Sequence, residues 1–161
     1  VYPGQVIWEG THVSEGRGTT LPFELVGAPY WNCRDILGVL GRTPLPGCVL
    51  RPLLFEPTSG KWAQQTCAGF QLHVTDSTLF KPYRTSLALL QAVQLLYPQD
   101  FQYKQPPYEY EFERLPMDLI LGDSDIRRQL ESGVPVVEIE AGWQRELAEF
   151  AGLRARYFLY E

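Results

Sequence analysis

Cys67-Ala68-Gly69-Phe70-Gln71-Leu72-His73-Val74-Thr75 alternates along its second half, with Phe70, Leu72 and Val74 on one side of an extended chain and Gln71, His73 and Thr75 on the other. This is the pattern of a strand with one face in a core, and it commits the chain to a sheet. Upstream, Cys48 to Phe55 reads as a second strand, in which Pro52, lacking an amide donor, marks an edge position or a bulge. Downstream, Pro82 suits the first turn of a helix that sets Ser86, Leu89, Leu90, Val93, Leu96 and Tyr97 on one side. Ala88, Ala92 and Leu95 widen that side until only Leu87, Gln91 and Gln94 lie opposite, so the helix is expected to be largely buried.

The flanks add shorter elements. Val6-Ile7-Trp8 reads as a brief strand-like run, and Pro22 to Pro29 as irregular, because each proline biases its predecessor away from helix. Asn32 is placed to cap a helix through Ile36, Leu37 and Leu40 that Gly41 ends. From Leu115 a short helix runs to Leu121; a second, capped by Asp123 or Ser124, is closed by Gly133. Pro135 opens a last helix whose Val136, Ile139, Trp143, Leu147 and Phe150 recur at helical spacing and are expected in the core. Between residues 100 and 113, Phe101, Tyr103, Tyr108, Tyr110 and Phe112 alternate with charges, a stripe equally suited to sugar stacking and to packing along the domain. The whole predicts one compact α/β domain of α+β character over 1–161, with a small mixed sheet packed by several helices.

At 161 residues, 45% hydrophobic and 20% charged, the chain can bury a core of its own. A net charge of -5 argues against a nucleic-acid partner, and no run reaches the ~18 apolar residues of a membrane-spanning helix. The chain opens on Val1 with neither Met nor a charged-then-apolar leader, which leaves the compartment open between secreted or periplasmic and cytoplasmic. Cys33, Cys48 and Cys67 lack the paired spacing of a zinc site, and only two histidines are available, so neither a metal nor a cofactor is expected. Three buried, reduced thiols are the first reading; one disulfide with a free thiol is the second.

The chemistry is concentrated in Glu9-Gly10-Thr11-His12-Val13-Ser14-Glu15-Gly16-Arg17-Gly18-Thr19-Thr20, where only Val13 is a large apolar residue. Such a segment is neither a buried strand nor an amphipathic helix; it reads as a loop, built around something polar and pinned by Trp8 before it and Phe23 and Leu25 after it. Its three glycines let a ligand approach the main chain, but the spacing and the missing lysine exclude a P-loop. Glycosidases set two carboxyl groups across the scissile bond, about 5 Å apart for retention and roughly 6.5–9.5 Å for inversion. Glu9 and Glu15 are the candidates here. A guanidinium grips a carboxylate bidentately, which suits Arg17 either to an acidic sugar or to an internal salt bridge with Glu9 or Glu15. A second loop, 56–66, sets Lys61 beside Trp62, a cation and a ring that either face a sugar or cover the edge of the core. His73, on the polar face of its strand, is a further candidate for a ligand contact, against a purely structural role.

These residues also carry a resemblance. The polar segment, Pro22-Phe23-Glu24-Leu25 and Gly27-Ala28-Pro29, then Pro57-Thr58 with Lys61, the 67–76 stretch, the leucine-rich helix, Trp143 and Tyr157-Phe158-Leu159-Tyr160 together resemble the YbbC/NamZ family of bacterial exo-β-N-acetylmuramidases. The likeness covers nearly the whole chain but only the C-terminal domain of family members, which carry a Rossmann-like domain in front. His12 stands where the family usually has Asn, and Trp62 where His commonly follows the lysine. The resemblance implies release of terminal N-acetylmuramic acid (MurNAc) from peptidoglycan fragments, at a cleft between the two domains whose principal acid comes from the N-terminal one. Glu9 and Glu15 would then assist. Arg17 would meet the lactyl carboxylate that distinguishes MurNAc from N-acetylglucosamine (GlcNAc), and Thr11, His12, Ser14, Gly18, Thr19, Lys61 and His73 would line the sugar. The implied partners are that Rossmann-like domain and a MurNAc-containing saccharide, and the isolated chain is expected to be inactive. The alternative is a carbohydrate-binding or protein-interaction domain without chemistry.

Overall fold

A computed structural model describes residues 1–160. Three strands, β1 (Leu25–Ala28), β2 (Cys48–Phe55) and β3 (Cys67–Val74), form a sheet in the order β1-β3-β2. Both pairings are antiparallel, so the small sheet is not mixed. β3 is its central strand, and β2 with Pro52 lies at the edge, where the missing amide costs no ladder bond. β1 falls within the segment expected to be irregular. Its four residues pair Gly27 with Gly69, and Cβ atoms built there would lie 2.4 Å from the Ala68 carbonyl oxygen and 2.1 Å from that of Val26. Two facing glycines thus let β1 and β3 approach more closely than side chains would permit. Gly69→Ala is expected to cost about 1–3 kcal/mol through this overpacking. Gly38→Ala, in a helix where the new methyl meets nothing, should be neutral or gain about 0.5–1 kcal/mol. Equal urea midpoints for the two variants would contradict this account of the strand crossing.

The chain enters through α1 (Tyr2–Gln5) and a 3₁₀ turn (Val6–Gly10), where a strand-like run was expected. The turn sends Ile7 and Trp8 into the core, both at 0% exposure, and leaves Glu9 only partly covered. α2 (Cys33–Leu40) is capped by Asn32, whose side chain accepts from the Arg34 amide. α3 (Pro82–Leu96) is the central helix. Leu87, expected to face outward, is fully buried with Leu89, Leu90 and Val93, whereas Leu95 is exposed. The reason is that α1, α2, α5 and α6 all pack on α3, so no side of its middle turns is free. α4 (Pro116–Leu121) and α5 (Ser124–Glu131) follow, the latter capped by the Asp123 carboxylate. In α6 (Val136–Arg154) the stripe expected in the core divides: Val136 and Ile139 are buried, while Leu147 and Phe150 are exposed. Phe70, Leu72 and Val26 of the sheet, Trp8, and the buried leucines of α3 make one core. All three cysteines are free thiols; Cys67 is buried, and Cys33 and Cys48 are only half-buried. No helix among the described residues is long and apolar enough to cross a membrane.

Candidate functional site

The polar segment is an ordered loop whose backbone is held from both sides. Ser14 exchanges amide hydrogen bonds with Gly27 of β1, at 2.9 and 3.0 Å, and the His12 amide donates to the Gln102 carbonyl at 3.0 Å. Within it, Thr11 Oγ1 donates to the Trp8 carbonyl and accepts from the Val13 amide; Ser14 Oγ accepts from the Gly16 amide. Thr19 Oγ1 donates to the Gly16 carbonyl and accepts from the Leu21 amide. Thr11 and Ser14 are buried, so these two hydroxyls, with that of Thr19, are engaged in shaping the loop. Gly18 has φ +81°, and a Cβ there would lie 2.4 Å from the Ser59 carbonyl oxygen. The glycine admits the second loop, and Thr58 donates through both its amide and its hydroxyl to the Gly18 carbonyl at 2.8 Å.

The polar object at the centre of the loop is the Lys61 ammonium. It donates to the Trp8 carbonyl at 2.7 Å, the Val13 carbonyl at 3.0 Å and Glu15 Oε2 at 2.6 Å. Burial outweighs the favourable contact with Glu15 and pulls this amine down to about 8. Trp62, at φ +57°, donates its indole N–H to the His12 carbonyl at 2.7 Å, fastening the same two loops a second time. The His12 ring is exposed, and its pKa is lowered by partial burial and by the cations of Lys61 and Lys104.

From Lys61 outward the charges alternate. Glu15 Oε1 lies 3.5 Å from Arg17 Nε, and Arg17 donates to Glu9 Oε1 through Nη2 at 2.6 Å and Nε at 3.2 Å. Tyr108 donates its hydroxyl to Glu9 Oε2 at 3.2 Å. Arg17 also lies over the Phe23 ring, 4.9 Å from its centroid, and the hydrogen bond to Glu9 raises its pKa. The two carboxylates differ in access: the side chain of Glu15 is 5% exposed and that of Glu9 17%, while Arg17 is 57% exposed. Glu9 therefore faces the surface and Glu15 the interior. Glu9 Oε1 accepts both bonds from Arg17 and Oε2 only the one from Tyr108, so Oε2 keeps one acceptor site unused among the described residues.

Glu9, Glu15, Arg17, Gly18, Lys61 and the backbone of His12 are thus gathered in one place. His73 is not among them. It sits on the outer face of the sheet, where Arg51 Nε donates to its Nε2 at 3.3 Å. Sequence reasoning named Tyr108 only as one ring in a stripe of five and Phe23 only as an anchor of the loop; their contacts with Glu9 and Arg17 are ones that no local pattern announces. Among the described residues no three His, Cys, Asp or Glu side chains group as metal ligands would.

A sequence model described as "Exo-beta-N-acetylmuramidase NamZ, C-terminal" matches residues 1–160. The chain belongs to this family of NamZ C-terminal domains. It is 36% identical over 160 residues to the peptidoglycan beta-N-acetylmuramidase NamZ of Bacillus subtilis (strain 168), covering 99% of this chain and 37% of that protein. Two crystal structures of DUF1343 family proteins from Bacteroides fragilis NCTC 9343 share the fold. One has a TM-score of 0.81 at 24% identity, covering 99% of this chain and 41% of its own; the other has 0.64 at 25%, covering 99% and 40%. The chain thus spans well under half the length of each NamZ or DUF1343 relative, which carries further sequence besides this domain.

Proposed function

We propose that this domain forms one wall of an exo-β-N-acetylmuramidase cleft that releases terminal MurNAc from peptidoglycan fragments. The other wall would come from a Rossmann-like domain earlier in the parent chain. One observation carries the reading: of the two loop carboxylates only Glu9 reaches the surface, because Glu15 is committed to Lys61. A glycosidase needs two carboxyl groups flanking the bond, so a site using Glu9 must take its second carboxyl group from elsewhere. In this reading Glu9 orients substrate or the attacking water, and Arg17, whose Nη1 has no protein partner among the described residues, meets the lactyl carboxylate. Glu15 and Lys61 hold the loop that presents them. Thr11, Ser14 and Thr19 shape that loop, the exposed His12 ring borders the sugar, and His73 takes no part.

The folded chain alone should hydrolyse no chromogenic β-MurNAc glycoside, since one wall cannot surround a bond with acid, base and a dry pocket. Activity appearing when the separately prepared N-terminal part of the parent is added would support the proposal; turnover by the chain alone, abolished by Glu9→Gln, would overturn it. In the full-length parent, Arg17→Ala should reduce discrimination between MurNAc and GlcNAc glycosides by roughly 1.5–3 kcal/mol, the scale of a charge-assisted hydrogen bond. Equal losses on both substrates would leave Arg17 with only its internal ion pairs.

A further inference from the structure

The apolar stripe of α6 begins inside the domain and continues out of it. Val136 and Ile139 are buried, and Trp143 packs edge-on against Tyr83 with ring centroids 5.5 Å apart. At the same helical spacing follow Leu147 and Phe150, and then Leu153, which are 53%, 58% and 49% exposed. Every described residue from Gln144 onward is exposed, including Tyr157, Phe158 and Leu159 beyond the helix. A helical arm of about ten residues without packing is marginal in water, and a contiguous apolar face of this kind marks an interaction surface. Beside its base lies a groove of about 640 Å³, walled by Tyr83, Leu121, Ile126, Trp143, Leu147 and Phe150. At the rim Lys81 and Arg84 each hold one oxygen of Glu140, at 2.7 and 2.8 Å, so that carboxylate is satisfied within the domain, and Glu146 also borders the groove.

We infer that the N-terminal part of the parent chain docks on this groove and on the outward face of α6, and that the arm is the latch between the two parts. The inference rests on the two-domain reading above. Two observations select this occupant over a second copy of the chain. The family domain is a C-terminal one that spans 37% of the Bacillus subtilis relative, so the larger part of that relative precedes the equivalent of Val1. The entry point is also next to the groove. Val1 packs against the core, and α1 is pressed onto the first turn of α3, where a Cβ on Gly4 would lie 2.1 Å from the Pro82 carbonyl oxygen. The next residue, Tyr83, is the one that meets Trp143.

The test is amide hydrogen exchange across residues 144–160 in the full-length parent and in the isolated chain, with sedimentation of the isolated chain. Exchange in the arm should be slowed by about 100-fold or more in the parent relative to an isolated monomer. In the parent, Phe150→Asp should abolish that protection while the amides of α3 stay protected. Equal exchange in both proteins would overturn the inference, as would protection already present in the isolated monomer, which would mean that the arm folds on its own groove. Protection through dimerisation of the isolated chain would assign the face to a second copy and overturn it too. Turnover is assayed separately: a protected arm in an inactive parent would sink the muramidase reading and leave the latch, whereas an unprotected arm in an active parent would do the reverse.

Discussion

Glu9→Gln in the full-length parent is expected to lower turnover of a β-MurNAc glycoside by on the order of 10²- to 10⁴-fold, the range for removing a positioned acid–base or water-orienting group. The amide keeps the shape of the side chain and an oxygen for Arg17 or Tyr108, so the loop should survive. What it removes is the accepting charge at the surface. Glu15→Gln supplies the contrast. Its side chain is 5% exposed and bound to Lys61 at 2.6 Å, so the change removes the partner of a buried ammonium, and the loss should appear in stability, with turnover per folded molecule altered by no more than about tenfold. Urea unfolding and steady-state rates on the same preparations separate the two effects. A larger catalytic loss for Glu15→Gln than for Glu9→Gln would reverse the assignment of which carboxylate faces the cleft.

The central strand, its edge neighbour, the Asn32 cap and the α4–α5 boundary at Asp123 were legible because each rests on a local signal: period-two alternation, a proline without a donor, or a side-chain oxygen before a helix. β1 was not legible, since its existence depends on Gly27 meeting Gly69 across more than forty residues of chain. Nor was the burial of Leu87, because amphipathic periodicity assumes one free face and α3 has none in its middle. The site divides in the same way. Composition located the loop and its charged residues, and sequence left Arg17 poised between a ligand and an internal ion pair; in the fold it bridges both carboxylates. Lys61 was visible as a loop cation but not as the centre of the polar segment, since its three acceptors lie between 46 and 53 residues away.

That central position makes Lys61→Met the largest expected change in stability, a loss of about 3–5 kcal/mol, the scale for removing one partner of a buried ion pair. The variant leaves the Glu15 carboxylate without its ammonium and the carbonyls of Trp8 and Val13 without a donor, in a place where water has little access. The pair need not be net stabilising for this to hold, because most of the cost is the charge left behind. Lys61→Met with Glu15→Leu should therefore regain most of the loss. The pH dependence has a definite sign. With the native amine at about 8 against 10.5 in the unfolded chain, the unfolded state binds more protons between those values. Stability due to this group therefore rises with pH across that window, by at most about 1.4 kcal/mol per unit. Wild type and Lys61→Met, compared by urea unfolding at pH 7.5 and 9.5, should diverge further at the higher pH. A loss below about 1 kcal/mol, the worth of a surface pair, or a gap that narrows as pH rises, would mean that Lys61 is solvated and that the loop is held by other contacts.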